Sequence, residues 1–566
     1  MSLQSSLNIG ISALGAQSRG LQVTGQNIAN ANTPGYVREE IIFSPIVPEQ
    51  IGNLIVGRGV DVQAIIQKVD KFLAERLRDA TSDVTAAQAE RDVYLRLESL
   101  LGELTDTDLS TGLNQFLASI QEALNQPQSV AMRGLAVRQG QELARSVTDL
   151  RRRVDDTRDG LNGRVRDLIG EANRLIEQVA ALNSRINDLE LAGTSPSQAG
   201  ALRSQRLKAL DDLSKIIDID VVETESSALN VFLASGQYLV FGNATNRLAT
   251  STTIDRNLVV YNVVLERDQS PVALTGGALA GITTARDTNL GAFLDQLDQL
   301  AASLIVEFNR IFSSGTGLRG FQDLTGTYAV TDAASALNAA GLAFSPQNGS
   351  FQVRVTNRNT GLTETTDLFV DLNGVGAETS LNDLVALIDA VAGLNAQVTP
   401  NGELRIASDA PDLEFSLAGD TSGVLASLGI NTFFTGTGSL DIGVNAIVVK
   451  DPSLFAAGQG GGPGDVSNAI ALTDFLKNPV AALGGLTLDQ AYEALVIDTT
   501  QASASARAIA TGMEGFQQTL SDQFLQTTGV SLDEEAIRMI SFQQAYQAAA
   551  RFISTVSELI ELLTTL

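Results

Sequence analysis

The chain has 566 residues and a formal net charge of −27, from 65 acidic and 38 basic residues, and it contains no Cys, no His and no Trp. An acidic excess of this size disfavours binding to nucleic acid and to anionic membrane surfaces. Without His or Cys, neither a Ser-His-Asp or Cys-His catalytic arrangement nor a zinc site with imidazole or thiolate ligands can form. On length alone we expect roughly four domains.

The first thirty residues predict a helix with a thin apolar seam. Apolar residues recur every three or four positions, and Gly10, Gln17 and Thr24 occupy the vacant positions of the pattern. The seam residues are Leu3, Leu7, Leu14, Leu21 and Ile28. The glycines of this segment each cost a helix about 1 kcal/mol relative to Ala, so we expect disorder in the isolated chain. The segment lacks the basic region and apolar core of a Sec-type signal peptide.

The sequence Asn-Thr-Pro-Gly at 32–35 ends this predicted helix. Pro34 keeps the residue before it out of the α region, and Gly35 can take a positive φ. Alternating apolar residues then indicate β-structure over 37–63. From Val62 to Leu101 the chain has neither Gly nor Pro, which favours a helix there.

The strongest periodic pattern runs from Leu143 to Leu189. Apolar residues step by four and three, with one stutter near Leu161. The pattern predicts a helix about 70 Å long that packs against partner helices of its own chain. We expect a turn at 192–200 and a returning helix at 201–217.

The sequence of the middle of the chain predicts more β-strands than the preceding segment. Short β-branched or aromatic runs indicate strands between 231 and 265, and a helix is expected at 288–312. Basic residues are scarce between about 325 and 450, which we interpret as an acidic insertion on the outside of the molecule. The elements expected in it are strands at 351–355, 368–372, 404–406 and 413–417 and a helix at 381–391.

Helical composition returns at about 465 and continues to a final helix with its own apolar seam. The seam residues step by three and four, namely Phe542, Tyr546, Ala549, Phe552, Val556, Leu559 and Leu563. The acidic residues Asp533, Glu534 and Glu535 fall in the first turn of this helix, where they favour the helix dipole. A carboxylate pair in catalysis needs two groups that face one cleft, which adjacent helical residues do not provide.

No other segment carries an enzyme signature. The arginines at 151–153 are followed by Asp155, Asp156 and Asp159, so we interpret them as a solvated helix face. No stretch approaches the roughly 18 apolar residues of a membrane span. We therefore expect no catalytic residues, no cofactor, no metal, no nucleic acid and no membrane insertion.

Both chain ends carry motifs of a known family. GLQVTGQNIANANTPGYVRE resembles the Ala-Asn-Thr-Pro-Gly-Tyr signature of the bacterial flagellar axial proteins, which are the rod, hook and hook-associated proteins. SLDEEAIRMISFQQAYQAAARFISTVSELIELL is similar to the matching carboxy-terminal segment. Several internal stretches resemble the hook-associated proteins of this family, in particular those at the first junction between hook and filament. They include GVDVQAIIQKVDKFLAERLRDA, DQLDQLAASLIVEFNRIF, LGINTFFTG and GVNAIVVKDPSLFAAG.

The resemblance implies a mixed α and β, multidomain fold. An α-helical coiled-coil rod forms from the paired N- and C-terminal regions, and β-rich outer domains are inserted in the middle. The expected domains are an inner helical coiled-coil domain at 1–50 and 523–566, disordered in the monomer, a long-helix rod domain at 51–218 and 465–522, a β-containing domain at 219–324 and 426–464, and an outer β-rich insertion at 325–425.

The implied function is structural. Copies of the chain would form a ring-like helical layer of the secreted flagellum, between the hook protein and the third hook-associated protein, after type III export with a cytoplasmic chaperone. The assembly interface would comprise the seam residues of both terminal helices together with Pro34 and Gly35. Two alternatives stay open: another axial protein of hook or filament type, and an adhesin or enzyme displayed on the flagellum through residues 325–450.

Overall fold

In a computed structural model, the structure describes residues 3–51, 54–102, 109–191, 199–224 and 228–565. The chain divides into two compact units. Unit 1 comprises residues 1–93, 159–287 and 504–566, and unit 2 comprises 94–158 and 288–503. The four-domain division expected from the sequence is finer than this and stays a prediction.

The described residues form thirteen α-helices, two of which exceed forty residues. They are α1 Leu3–Asn30, α2 Lys71–Gly102, α3 Leu109–Asn125, α4 Val130–Leu191, α5 Gly200–Ser214, α6 Gly277–Thr284, α7 Leu290–Ser313, α8 Leu381–Asp389, α9 Val424–Ser427, α10 Ala446–Lys450, α11 Ser467–Lys477, α12 Leu488–Thr528 and α13 Leu532–Thr565. A π-helical turn at Ala285–Asn289 joins α6 to α7.

The strands form small antiparallel sheets. They are β1 Glu39–Pro45, β2 Glu49–Ile51, β3 Leu54–Val56, β4 Val60–Gln67, β5 Asp220–Glu223, β6 Leu229–Phe232, β7 Tyr238–Phe241, β8 Ala244–Thr245, β9 Leu248–Asp255, β10 Leu258–Leu265, β11 Asp323–Thr325, β12 Gly349–Asn357, β13 Thr363–Val370, β14 Leu394–Val398, β15 Leu404–Ser408, β16 Leu413–Ala418, β17 Phe434–Thr435 and β18 Gly443–Val444. The larger sheets have the orders β5-β6-β7-β8, β13-β12-β16 and β11-β15-β14.

The long helix expected from the heptad pattern is present as α4, which is 62 residues long. Its predicted seam is largely buried, including Leu143, Val147, Leu150, Val154, Val165, Leu168, Ala172, Val179, Leu182 and Ile186. At the stutter near Leu161 the buried positions are taken by Arg158 and Asn162, so the buried stripe moves by one residue. Leu189, at the end of the pattern, is 60% exposed.

The returning helix is α5, and residues 192–198 of the expected turn lie outside the described residues. The core of unit 1 forms where α4 and α5 pack against the β5–β8 sheet and the β9–β10 ribbon. Ile176, Leu210, Val231 and Leu239 at its centre are fully buried.

The prediction of a helix from Val62 is wrong for its first residues. Residues 60–67 form β4, which pairs with β1 from Glu39–Gln67 to Pro45–Val60, and helix α2 begins only at Lys71. The absence of Gly and Pro permits a helix but does not favour it over a strand, and the partner strand β1 decides between them.

The interpretation of residues 151–153 as a solvated face is wrong for Arg151. Its side chain is 2% exposed, whereas that of Arg152 is 67% exposed. In unit 2, Arg151 Nε donates to Asp155 Oδ2 at 2.7 Å and its Nη1 to Asp298 Oδ2 at 2.7 Å. A buried guanidinium needs such partners, and Asp298 lies 147 positions away in the sequence.

Unit 2 contains the predicted β-rich segment and an aromatic core. The strands expected at 351–355, 368–372, 404–406 and 413–417 correspond to β12, β13, β15 and β16, and the short helix is α8. Phe116, Phe308, Phe312, Phe433, Phe434 and Phe455 are all fully buried and their rings contact one another. Gly140 of α4 lies against them, since a Cβ there would come within 2.5 Å of the Phe433 ring.

Candidate assembly interface at the paired chain ends

The first and last helices of the chain, α1 and α13, pack side by side in unit 1. Gly10 faces Ile553, Gly20 faces Phe542, and Asn27 bonds to Glu535, so positions rise along α1 as they fall along α13. The two helices are therefore antiparallel, and they bring together segments more than five hundred residues apart in the sequence. Both segments are helical and paired in the single chain, which differs from the disorder expected for them in the monomer.

Two glycines of α1 allow this close approach. A Cβ on Gly10 would lie 2.7 Å from Ile553 Cγ1, and one on Gly20 would lie 2.9 Å from the Phe542 ring. Gly15 and Gly25 have no atom within 4 Å of such a Cβ, so they face open space within the chain. The helix-weakening glycines thus divide into two that are needed for packing and two that this contact leaves free.

The predicted interface residues fall into three groups in the single chain. Ala549 and Val556 are buried, at 8% and 5% exposure. Half-buried positions are Leu3, Leu7, Leu14, Leu21, Ile28, Phe542 and Tyr546. Exposed positions are Pro34, Gly35, Phe552, Leu559 and Leu563. The intrachain contact thus uses only one side of each seam, and the assignment of these residues to an interface between subunits stays a prediction.

The α13 helix presents an apolar face to solvent. The exposed side chains on it include Ile537 at 68%, Ile540 at 55%, Leu559 at 48%, Leu562 at 61% and Leu563 at 69%. Exposed apolar residues that recur along one element mark a surface that another molecule covers. On α1, Ile11 is also exposed, at 53%.

The chain leaves α1 through a tight turn at the predicted Pro-Gly position. Helix α1 ends at Asn30, and the Thr33 and Tyr36 amides donate to Asn30 O and Thr33 O at 2.9 and 3.1 Å. Gly35 has φ +78°, the conformation that its position predicts and that a side chain would strain.

Directly after this turn, a polar cluster with a buried ion pair at its centre joins the two chain ends. Its members are Asn27, Tyr36, Arg38, Glu534 and Glu535, which we call the Arg38 cluster. Arg38 contacts Glu535 Oε1 through Nε at 2.9 Å and Nη2 at 2.8 Å, and Glu534 Oε2 through Nη1 at 3.0 Å. The side chains of Arg38 and Glu535 are 8% and 1% exposed. A charge pair this deeply buried holds only while both partners are present.

Asn27 satisfies its whole hydrogen-bonding capacity in this cluster. Its Nδ2 donates to Glu39 O at 2.9 Å and Glu535 Oε2 at 3.1 Å. Its Oδ1 accepts from the Tyr36 hydroxyl at 2.9 Å and the Glu39 amide at 3.0 Å. Asn27 is fully buried, so these four bonds specify one arrangement of helix, turn and strand.

The electrostatics keep Tyr36 protonated as a donor. Burial raises the pKa of the Tyr36 hydroxyl well above its ordinary value, and the nearby carboxylates of Glu39 and Glu535 raise it further. Burial also raises the pKa of Glu39. The carboxylates of Glu534 and Glu535 contact Arg38, and that of Glu535 also accepts a hydrogen bond from Asn27. The cluster therefore joins the two chain ends.

The segment after the turn is also fixed to three other elements of unit 1. The Arg38 amide donates to Thr528 O at 3.0 Å, and the Lys68 amide donates to Arg38 O at 3.0 Å. The Val37 amide donates to Ser204 Oγ of α5 at 3.3 Å. Residues 37 and 38 therefore connect α12, α5 and the residue that follows β4 to the terminal helix pair.

The sequence predicted part of this cluster. The first-turn position of Asp533, Glu534 and Glu535 is confirmed, but the buried partner of Glu535 was missed. A signal was available, since Arg38 is one of the first charged residues after a nearly uncharged α1 and the acidic triplet begins the opposite helix. Asn27 and Tyr36 stand in the family-like segment GLQVTGQNIANANTPGYVRE, but the sequence gives no sign of their contacts with Glu535 and with each other.

Within the described ranges, no group of three acidic, His or Cys residues is placed to hold a metal ion. None of the helices in this part of the chain is long and apolar enough to cross a bilayer.

Three family models match the chain in order. Residues 7–36 match the flagella basal body rod protein model, residues 94–327 match the flagellar hook-associated protein FlgK helical domain, and residues 521–566 match the flagellar basal body rod FlgEFG protein C-terminal model. The first and last of these matches fall on α1 with its turn and on the end of α12 with α13.

Curated relatives match over nearly the whole chain. Flagellar hook-associated protein 1 of Escherichia coli K12 is 23% identical over 99% of this chain and 99% of its own length. The protein of the same name from Salmonella typhimurium gives the same values, and that from Bacillus subtilis is 23% identical over 97% of this chain and 95% of its own.

A solved structure of the flagellar hook junction protein FlgK from Burkholderia pseudomallei shares the fold. It has a TM-score of 0.50 and 18% identity, and the match covers 79% of this chain and 99% of that one. The resemblance drawn from the terminal motifs and the mixed α and β, multidomain fold are confirmed.

Proposed function

We propose that this chain, which resembles flagellar hook-associated protein 1 from end to end, is a structural subunit of the bacterial flagellum at the first junction between hook and filament. The observation that carries the proposal is the placement of the family matches. Two rod-type models match the two ends that form the antiparallel α1–α13 pair, and the hook-associated helical domain matches the region of α4.

The helix pair supports assembly because it is incomplete in one chain. A marginal helix with a thin seam is unstable in water by itself. Neighbouring copies would cover the exposed apolar face of α13, and burying one Leu side chain contributes about 1.5–3 kcal/mol. We infer that the predicted interface residues Phe552, Leu559 and Leu563, exposed in the single chain, pack against other copies.

The junction role implies the remaining parts of the proposal. The partners are other copies of the chain in a ring-like layer, the hook protein on one side, the third hook-associated protein on the other, and a cytoplasmic chaperone before export. Export through the flagellar type III apparatus would place the protein outside the cell. Segments 1–50 and 523–566 would form the inner wall, and 325–425 would project outward.

The alternative within the same class is an axial protein of hook or filament type. The number of copies per flagellum separates the two, because a junction protein forms one short layer whereas hook and filament proteins form long tubes. The role needs no catalysis, so hydrolase activity of the full-length protein would contradict that part of the proposal.

A strain that lacks the gene tests the function directly. We expect hooks without filaments and filament subunits released into the medium, and the intact gene restores filaments. Removal of residues 1–30 should leave a folded, soluble protein that does not join the organelle. Filaments of normal length in the deletion strain, or incorporation of the truncated protein, would refute the proposal.

A further inference from the structure

Unit 1 contains a cationic pocket that the assembly role does not use. It has a volume of about 230 Å³ and lies among the residues that follow β4, the start of α2, α5 and strands β5 and β6. The charged residues that line it are Lys71, Glu75, Arg78, Arg203, Arg206 and Glu223. Cations therefore outnumber carboxylates along the lining, although the chain as a whole carries a charge of −27.

Most of these cations already have partners. Arg203 forms a two-point contact with Glu190, with Nε–Oε1 and Nη2–Oε2 distances of 2.8 Å. Glu223 accepts from Arg203 at 3.3 Å and also pairs with Lys71. Arg206 donates to Asn183 Oδ1 at 2.8 Å.

Arg78 differs from the other three. It is 7% exposed. Unlike Lys71, Arg203 and Arg206, it forms no hydrogen bond or ion pair with the described residues of the chain. Burial lowers the pKa of Arg78, and attraction to the carboxylates of Asp211, Asp79 and Glu75 offsets only part of that effect. A buried guanidinium normally contacts an anion directly, and none of these carboxylates forms an ion pair or a hydrogen bond with Arg78.

We propose that this pocket binds a carboxylate group through Arg78. The planar guanidinium matches the two oxygens of a carboxylate. Glu75 and Glu223 also line the pocket, and they oppose a doubly charged phosphate more than a singly charged carboxylate. The apolar walls formed by Leu207, Leu210 and Leu229 suit the aliphatic stem that carries such a group.

Propionate, which reproduces the end of a Glu side chain, is the probe. Saturation-transfer NMR with the full-length protein should show binding of propionate and not of the uncharged propionamide. Arg78→Gln should raise the Kd for propionate about ten-fold or more, because a hydrogen bond to a charged group is lost. Arg76→Gln is the matched control, since Arg76 is exposed on the same helix and stacks on Phe72.

A second variant separates loss of binding from loss of the fold. Arg78→Lys keeps the buried charge but cannot contact both oxygens in one plane, so it should fold and still bind propionate more weakly than the original protein. Equal transfer from propionate and propionamide, or an unchanged propionate Kd in either Arg78 variant, would overturn the proposal.

The carboxylate can come from a free acid or from an acidic side chain of a neighbouring subunit, and the second source rests on the proposed function. Lys71→Cys introduces the sole thiol of the chain at the rim of the pocket. Protection of this thiol from maleimide in isolated flagella, but not in the dilute protein, indicates a side chain of a neighbour. Reaction in both indicates a free acid, and neither result alters the propionate test.

Discussion

Replacing Arg38 with Met tests whether the buried ion pair holds the two chain ends together. The substitution keeps the aliphatic stem and removes three charge-assisted contacts of 2.8–3.0 Å. Among the described residues, it leaves the carboxylate of Glu535, whose side chain is 1% exposed, with the side-chain amide of Asn27 at 3.1 Å as its remaining hydrogen-bond donor. Removing one partner of a buried pair costs about 3–5 kcal/mol. We therefore expect the α1–α13 contact to open far more readily.

Hydrogen exchange measured by mass spectrometry reports this opening. A loss of about 3–5 kcal/mol corresponds to roughly a hundred- to several-thousand-fold faster exchange in peptides of α1 and α13. Arg538→Met is the matched control, because Arg538 lies 3.7 Å from Glu40 and both side chains are about two-fifths exposed, at 39% and 42%. Such a surface pair contributes about 0–1 kcal/mol.

The double variant Arg38→Met/Glu535→Leu distinguishes a buried charge from a lost contact. With both charges gone, the unpaired carboxylate no longer has to be desolvated, and most of the protection should return. Equal exchange in Arg38→Met and Arg538→Met would refute the reasoning, and so would a double variant that exchanges as fast as Arg38→Met.

Three further predictions concern packing and pH. Gly20→Leu should weaken the α1–α13 contact by about 1–3 kcal/mol, because even a Cβ at this position would lie 2.9 Å from the Phe542 ring. The same exchange experiment measures this change. Gly140→Val should lower the Tm through a clash with the aromatic core, whereas Gly163→Ala, with nothing within 4 Å, should raise stability by up to about 1 kcal/mol. Burial raises the pKa of Asp211 to about 6 from 3.8, so its stabilising contribution is complete below pH 3.8 and is lost as pH rises through 6. The unfolding free energy of Asp211→Asn minus that of the original chain should therefore increase by about 2–3 kcal/mol between pH 4 and pH 7, measured by urea denaturation at each pH. A difference that stays constant with pH would contradict the raised pKa of Asp211.

The helices of this fold are the part that the sequence predicts best. The seam of α4 repeats over more than ten apolar positions, so errors at single residues such as Leu189 do not change the assignment. Residues 64–67 of β4 fall in the predicted helix, whereas residues 60–63 fall in the predicted β segment. The feature that decides the extent of this strand is its pairing with β1, a tertiary contact rather than a local preference.

Buried arginines mark the limit of such inference. Arg38, Arg78 and Arg151 are 7%, 7% and 2% exposed. Arginine is mostly exposed in folded proteins, so the residue type alone predicts a surface position for each of them. Glu535, a partner of Arg38, lies 497 positions away in the sequence. Asp298, a partner of Arg151, lies 147 positions away. A one-dimensional pattern contains the charges but not the fold that brings them together.

The most direct test of the proposed wall of terminal helices is the triple substitution of Leu559, Leu562 and Leu563 by Gln. These side chains are 48%, 61% and 69% exposed in the single chain, so each change should alter monomer stability by no more than about 0.5 kcal/mol. We predict a variant that folds and is exported to the medium, yet leaves the hooks of a deletion strain without filaments in electron micrographs. Filaments of normal number and length with this variant would contradict the account.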